Sequence, residues 1–202
     1  MSQGTEAECF LRAAGLDPAG MTSHAWLLDG GYEVRDRFIA RFGFAVLTAA
    51  VAAAIAPYAP LLEVGAGSGY WSYEFRRAGV DIIATDPGTG RYRLGGKWLG
   101  WEPWLEVERL DGVTAVRRWP ARALLMVWPD MEAWAAATLE AFAGSTVVYV
   151  GEGAGGCTAD DRFHELLEER WALKEEIGIP QFGGTHDMAW VYQRAGAGGG
   201  GR

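Results

Sequence analysis

Leu61-Leu62-Glu63-Val64-Gly65-Ala66-Gly67-Ser68-Gly69-Tyr70 is the stretch that decides the fold. A short apolar run containing one acid leads into a turn with glycine at every second position. The residues from Trp71 to Ala78 hold no glycine or proline and stop at Gly79, so they read as a helix with a glycine cap. Val80-Asp81-Ile82-Ile83-Ala84-Thr85-Asp86 follows, a second buried strand that ends on a carboxylate. Together they form one β-α-β unit with a site for a nucleotide-sized ligand at its first turn. Glycine suits that turn because the backbone must bend sharply and approach a ligand without a Cβ in between. Asp86 lies about 20 residues further on, where a carboxylate can accept both hydroxyls of a ribose.

The glycine spacing distinguishes two ligands. A dinucleotide fingerprint reads G-x-G-x-x-G and seats a pyrophosphate on the helix N-terminus. Here Tyr70 stands where the third dinucleotide glycine belongs, and a tyrosine there is expected to crowd the pyrophosphate. The pattern E-x-G-x-G-x-G of Glu63, Gly65, Gly67 and Gly69 instead resembles motif I of the class I S-adenosylmethionine-dependent methyltransferases.

The resemblance covers Leu61 to Arg194 and implies S-adenosyl-L-methionine as cofactor. It implies that the backbone at Glu63, Gly65, Gly67 and Gly69 holds the methionine part and that Asp86 binds the ribose. Asp111, with Leu110 and Gly112 beside it, matches the acid that hydrogen-bonds the adenine amine; Asp-Gly is also a common turn. Val127-Trp128-Pro129-Asp130 sits where the fourth strand delivers its end to the transferable methyl. It is similar to the aromatic/Pro-Pro signature of some methyltransferases. Asp130 replaces the second proline and no Asn or Asp precedes the first, a departure from the amine-recognising, DNA-methylating version. Residues Val150 to Asp161 and Ile179 to Asp187 are also similar to a small, poorly described group of bacterial and fungal methyltransferases. Arg41-Phe42-Gly43-Phe44-Ala45-Val46 fits the same pattern as an element covering the cofactor.

The remaining elements follow from periodicity and caps. Glu6 to Ala14 reads as a short helix, and Tyr32 to Ala56 as one long or two broken helices. Leu105 to Leu110 reads as the third strand, Ala123 to Trp128 as the fourth and Thr146 to Val150 as the fifth. Asp130 to Ala143 fits a helix with Asp130 as N-cap, and Asp160 to Arg170 fits another. Trp171 to Ile177 and Met188 to Arg194 read as a closing pair of strands. Alternating strands and helices predict an α/β fold with a doubly wound, mostly parallel sheet. The resemblance makes this Rossmann-like, with an antiparallel last strand formed by a final hairpin at the edge. Residues 1–56 are expected to form an N-terminal helical cap, 57–194 the cofactor-binding core and 195–202 a flexible glycine-rich tail. Gly88 to Pro103 is a long Gly- and Trp-rich connection and a candidate lid.

Composition bounds the function. The 202 residues carry a formal charge of -8, which argues against a nucleic-acid partner. Half are hydrophobic and 22% charged, ordinary for a globular chain. Cys9 and Cys157 are far apart and offer no metal-ligand spacing, so no metal and a reduced, cytoplasmic setting are expected. Phe42 to Ala56 is apolar but too short for a membrane span, and reads as a buried, alanine-rich helix. Ten tryptophans are the compositional oddity. Trp98, Trp101, Trp104 and Trp119 cluster in irregular sequence, and at least one is expected to line the adenine or substrate pocket.

Methyl transfer from a sulfonium is an in-line displacement in which the cofactor carries the activation. The protein must align the groups and exclude water. A carboxylate acceptor needs no base, whereas a phenol or ammonium does. His186, in a Gly-rich loop before the last strand, is the candidate base; its alternative is a loop histidine bonded to backbone. Asp187 is adjacent but need not orient it, because strand neighbours point opposite ways. Glu152 follows the fifth strand at its ligand-binding end, to contact a substrate amine or to cap its loop. Trp128 would stand beside the methyl, where an aromatic face favours a cationic sulfonium. His164 reads as solvated, the Glu165, Glu168, Glu169 cluster as a solvated helix face, and His24 as a residue with a possible substrate role. The expected activity is S-adenosylmethionine-dependent O- or N-methylation of a small molecule. A Rossmann-type oxidoreductase and a non-catalytic S-adenosylmethionine-binding protein are the alternatives. The sequence leaves the oligomeric state open.

Overall fold

The computed structural model describes residues 4–22, 31–88, 91–94 and 96–195. His24 and residues 196–202 of the expected tail lie outside them.

Seven strands form the main sheet, in the order β5-β2-β1-β6-β7-β9-β8. They are β1 (Leu61–Val64), β2 (Ile82–Asp86), β5 (Glu108–Arg109), β6 (Ala123–Val127), β7 (Thr146–Gly151), β8 (Trp171–Gly178) and β9 (Met188–Arg194). The pairs from β5 across to β7 are parallel, and β9 runs antiparallel to both its neighbours. The last strand is therefore antiparallel as expected, but it lies inside the sheet and β8 forms the edge. A second, two-stranded sheet joins β3 (Arg91–Leu94) and β4 (Lys97–Gly100). The Gly- and Trp-rich connection is thus a hairpin. The architecture is a Rossmann-like α/β fold. Its order reverses at β1, flanked by β2 on one side and β6 on the other, which is where such sheets bind ligands.

The helices are α1 (Glu6–Ala13), α2 (Gly31–Phe42), α3 (Ala49–Ile55), α4 (Tyr70–Arg77), α5 (Gly112–Arg118), α6 (Trp134–Ala141) and α7 (Asp161–Arg170). Side-chain alternation along β1 shows how they divide. Leu61 packs with Phe38, Val51 and Phe75 from α2, α3 and α4, whereas Leu62 packs with Ala115, Leu139 and Phe163 from α5, α6 and α7. Each fully buried large apolar side chain contributes about 1.5–3 kcal/mol, so both layers hold the sheet. Residues of the expected cap share one core with α4 and the sheet. The Tyr70 hydroxyl accepts from Ala7 N at 3.0 Å, and the Glu74 carboxylate accepts from Glu6 N at 2.7 Å, docking α1 on α4.

The stretch from residue 32 to 56 forms two helices, one of the two expected arrangements; it breaks at Gly43, which takes φ +93°, so the apolar run from Phe42 to Ala56 is not one continuous helix. Two further elements differ from expectation for local reasons. The third strand shrinks to Glu108–Arg109. Asp130 does not cap a helix: its Oδ1 accepts from Glu132 N and Trp134 Nε1, which makes an Asx turn and delays α6 to Trp134.

Candidate functional site

The glycine turn stands at the C-terminal end of β1. Gly65, Gly67 and Gly69 have φ of +73°, +54° and +75°, a region that strains any residue with a Cβ. Asp86 ends β2 beside them. Its Oδ2 accepts from Gly67 N at 3.1 Å and its Oδ1 from Gly88 N at 2.8 Å. The predicted ribose acid thus faces the predicted turn.

Glu63 is buried on the α4 side of β1, with 2% of its surface exposed. Its Oε2 accepts from the Ser72 N–H at 3.1 Å and from the Ser72 hydroxyl. Ser72 is the third residue of α4, so a carboxylate already occupies the N-terminus of the helix that follows the turn. Burial pushes the Glu63 carboxyl up to about 7 against the pull of the Ser72 bonds, and the Asp86 charge adds to the rise. Tyr70, by contrast, does not crowd the turn. Its ring packs 4.9 Å from Phe42 and 5.2 Å from Trp104, away from the helix start.

Two indoles flank the turn. A Cβ at Gly67 would lie 2.6 Å from Trp101, and one at Gly65 2.7 Å from Trp134. Trp101 stacks on Tyr92 at 4.4 Å and donates Nε1–H to Ile39 O at 2.9 Å. The β3–β4 segment therefore lays a ring over Gly67 and ties it to α2. Of the other expected tryptophans, Trp104 bonds Arg41 O at 2.7 Å and Trp119 lies under Arg118. The side chain of Trp98 lies outside the described residues.

Asp111 and Gly112 lie beyond β5, next to β2. Both Asp111 oxygens are held by Thr114, as the cap of α5, and these bonds keep its carboxyl below the usual range. A Cβ at Gly112 would fall 2.0 Å from Thr138 Oγ1, so close packing of α5 on α6 accounts for this glycine.

Trp128, Glu152 and His186 meet at the ends of β6, β7 and β9. Trp128 takes φ +51°, an uncommon conformation for a bulky residue. Its ring stacks on Phe44 at 4.7 Å with an interplanar angle of 11°, and its Nε1 donates to Asp187 Oδ1 at 2.7 Å. Phe44 also meets Tyr92 and Trp101 edge-on. A continuous aromatic cover thus runs from the end of β6 to the glycine turn.

Glu152 is buried and staples two loops, accepting from Cys157 N at 2.8 Å and from His186 N at 2.9 Å. Burial acts to raise its carboxyl, but these bonds hold it below the usual range. The His186 ring stands 3.7 Å from Glu152 with 71% of the side chain exposed, and so is open to a ligand. Asp187 does not orient it. Asp187 is 1% exposed, and burial pushes its carboxyl up to about 6. Asp187, read from sequence only as the neighbour of His186, bonds Trp128 instead. Trp134 and Tyr92 were missed and had no signal in the sequence.

Among the described residues no group of three His, Cys, Asp or Glu is placed to hold a metal ion, and no helix is long and apolar enough to cross a membrane. The fold is a Rossmann-like α/β sheet with a glycine turn at its topological switch point. No protein-family model and no curated protein matches the chain.

Proposed function

We propose that the chain is a class I S-adenosylmethionine-dependent methyltransferase that methylates a small molecule. The observation that carries this reading is Glu63 on the N-terminus of α4. A pyrophosphate would have to compete for a helix end whose Ser72 donors already bond the buried Glu63 carboxyl, with the Asp86 carboxylate beside the turn. A ligand that brings hydroxyls to Asp86 and no phosphate to the helix end meets neither conflict. The antiparallel β9 beside β7 is also what the methyltransferase resemblance implies.

The residues present fit this cofactor. The backbone of Gly65 to Gly69 and the Asp86 carboxylate would hold it, with Asp111 at the adenine end; when bound it supplies an activated methyl group. The chain's own part is alignment and dryness. Phe44, Trp101 and Trp128 exclude water over the turn, and access to Gly67 requires the Trp101 ring to move. Asp187 holds the Trp128 ring in place. His186, steered by Glu152, takes a proton from a phenol or ammonium, or positions a carboxylate. The acidic chain favours an acceptor that is not a polyanion, and two unpaired cysteines suit a reducing, cytoplasmic setting.

Calorimetry tests the reading. S-Adenosylmethionine and S-adenosylhomocysteine should bind and NADH should not, and Asp86→Ala should weaken binding by about 1–3 kcal/mol. Tighter binding of NADH than of S-adenosylhomocysteine, or unchanged affinity in Asp86→Ala, would overturn it.

A further inference from the structure

A cavity lies away from the glycine turn, between α7 and the exposed face of the β8–β9 pair. Its volume is about 240 Å³. Register places its floor. Trp190 pairs with Tyr149 on one side and Glu176 on the other, and Tyr192 pairs with Leu173, so these side chains share a face. Trp190 stacks on Tyr149 at 5.5 Å and 12°. His164 and Glu168 line the opposite wall from α7.

Two carboxylates act at this groove. Glu168 and Glu176 both act on the Tyr192 hydroxyl, raising its pKa after burial. Neither forms an ion pair with a described residue, although Glu165 and Glu169 on the same helix share Arg162. His164 Nε2 donates to Thr158 O at 3.0 Å, which fixes the ring in this wall. The aromatic lining already holds a cation at one end, since the Arg194 guanidinium lies 4.3 Å over Trp171. An aromatic floor and carboxylates without an ion-pair partner among the described residues together suit a positive, weakly hydrated ligand.

We propose that this groove binds a small organic cation of the alkylammonium class. The π faces of Trp190 and Tyr192 receive the alkylated head, and Glu168 and Glu176 supply the countercharge. Tyr149 links the groove to the site described above, because its hydroxyl donates to Glu152 O at 2.7 Å. The proposal does not depend on methyl transfer and stands if that reading fails.

Choline and its uncharged isostere, with carbon in place of the ammonium nitrogen, are the probes. Both are titrated into the full chain while the Trp190 indole N–H signal is followed by NMR. Choline should shift that signal and bind at least about tenfold more tightly than the isostere. The double substitution Glu168→Gln and Glu176→Gln alters only exposed side chains, so it should leave the fold intact and weaken choline about tenfold or more. Saturating S-adenosylhomocysteine should not displace choline. Equal affinity for the two probes, choline binding unchanged in the double variant, or competition with S-adenosylhomocysteine would each overturn the proposal.

Discussion

Glu63→Gln tests whether a buried carboxylate holds the start of α4. The glutamine keeps an oxygen to accept from Ser72 and removes the titrating proton. In the folded chain the Glu63 carboxyl is raised from 4.5 to about 7. A raised carboxyl favours the protonated fold. Its contribution is fully present below pH 4.5 and is lost as pH rises through about 7. The rise corresponds to about 3 kcal/mol between those limits. The stability of the parent relative to the variant should therefore fall by about 3 kcal/mol from pH 4.5 to pH 8, or by roughly 10 °C in Tm for a chain of this size. Any constant cost of burying the amide cancels in that comparison. Denaturant unfolding of both proteins at half-unit pH steps measures it. A stability difference that does not change with pH would refute the assignment of Glu63 as a desolvated acid.

Gly112→Ala should destabilise by about 1–3 kcal/mol, because its Cβ collides with Thr138 Oγ1, and Thr138→Ala in the same chain should recover part of the loss; a neutral Gly112→Ala in denaturant unfolding contradicts the packing argument. With an acceptor in hand, His186→Ala should lower turnover about a hundredfold and leave S-adenosylhomocysteine affinity unchanged, whereas a loss confined to KM assigns positioning. An unaltered kcat/KM removes His186 from the mechanism.

The sheet was legible where apolar runs were bounded by turns. Ala123 to Val127, Thr146 to Gly151 and the closing pair β8 and β9 fell where periodicity placed them. The one acid read as a cap failed, because Asp130 was captured by the Trp134 indole, a partner that no local rule reveals, whereas Asp160, read only as the start of a helix, caps α7. The place of β9 inside the sheet depends on long-range pairing with β7, to which a hairpin reading is blind. At the site, the turn and Asp86 announced themselves through glycine spacing and a strand-end acid. Glu63 was read as a motif letter, and its bond to Ser72 emerged only in three dimensions. The same holds for the aromatic cover, since Phe44 and Trp128 are far apart in sequence and stack on each other.

The two borders of the main sheet make poor templates for a further strand. One border, β5, is only two residues long. The other, β8, carries Lys174, Glu175 and Glu176 and is interrupted by an irregularity between Leu173 and Glu175. Its face is also partly covered, with Lys174 5.0 Å from the Tyr58 ring and the Tyr58 hydroxyl bonded to Glu175. Short length, charge and a bulge are the devices by which sheets resist edge-to-edge joining. Because β9 runs inside the sheet, its backbone is paired on both sides, and the strand at the border in its place is the one best equipped to stay unpaired.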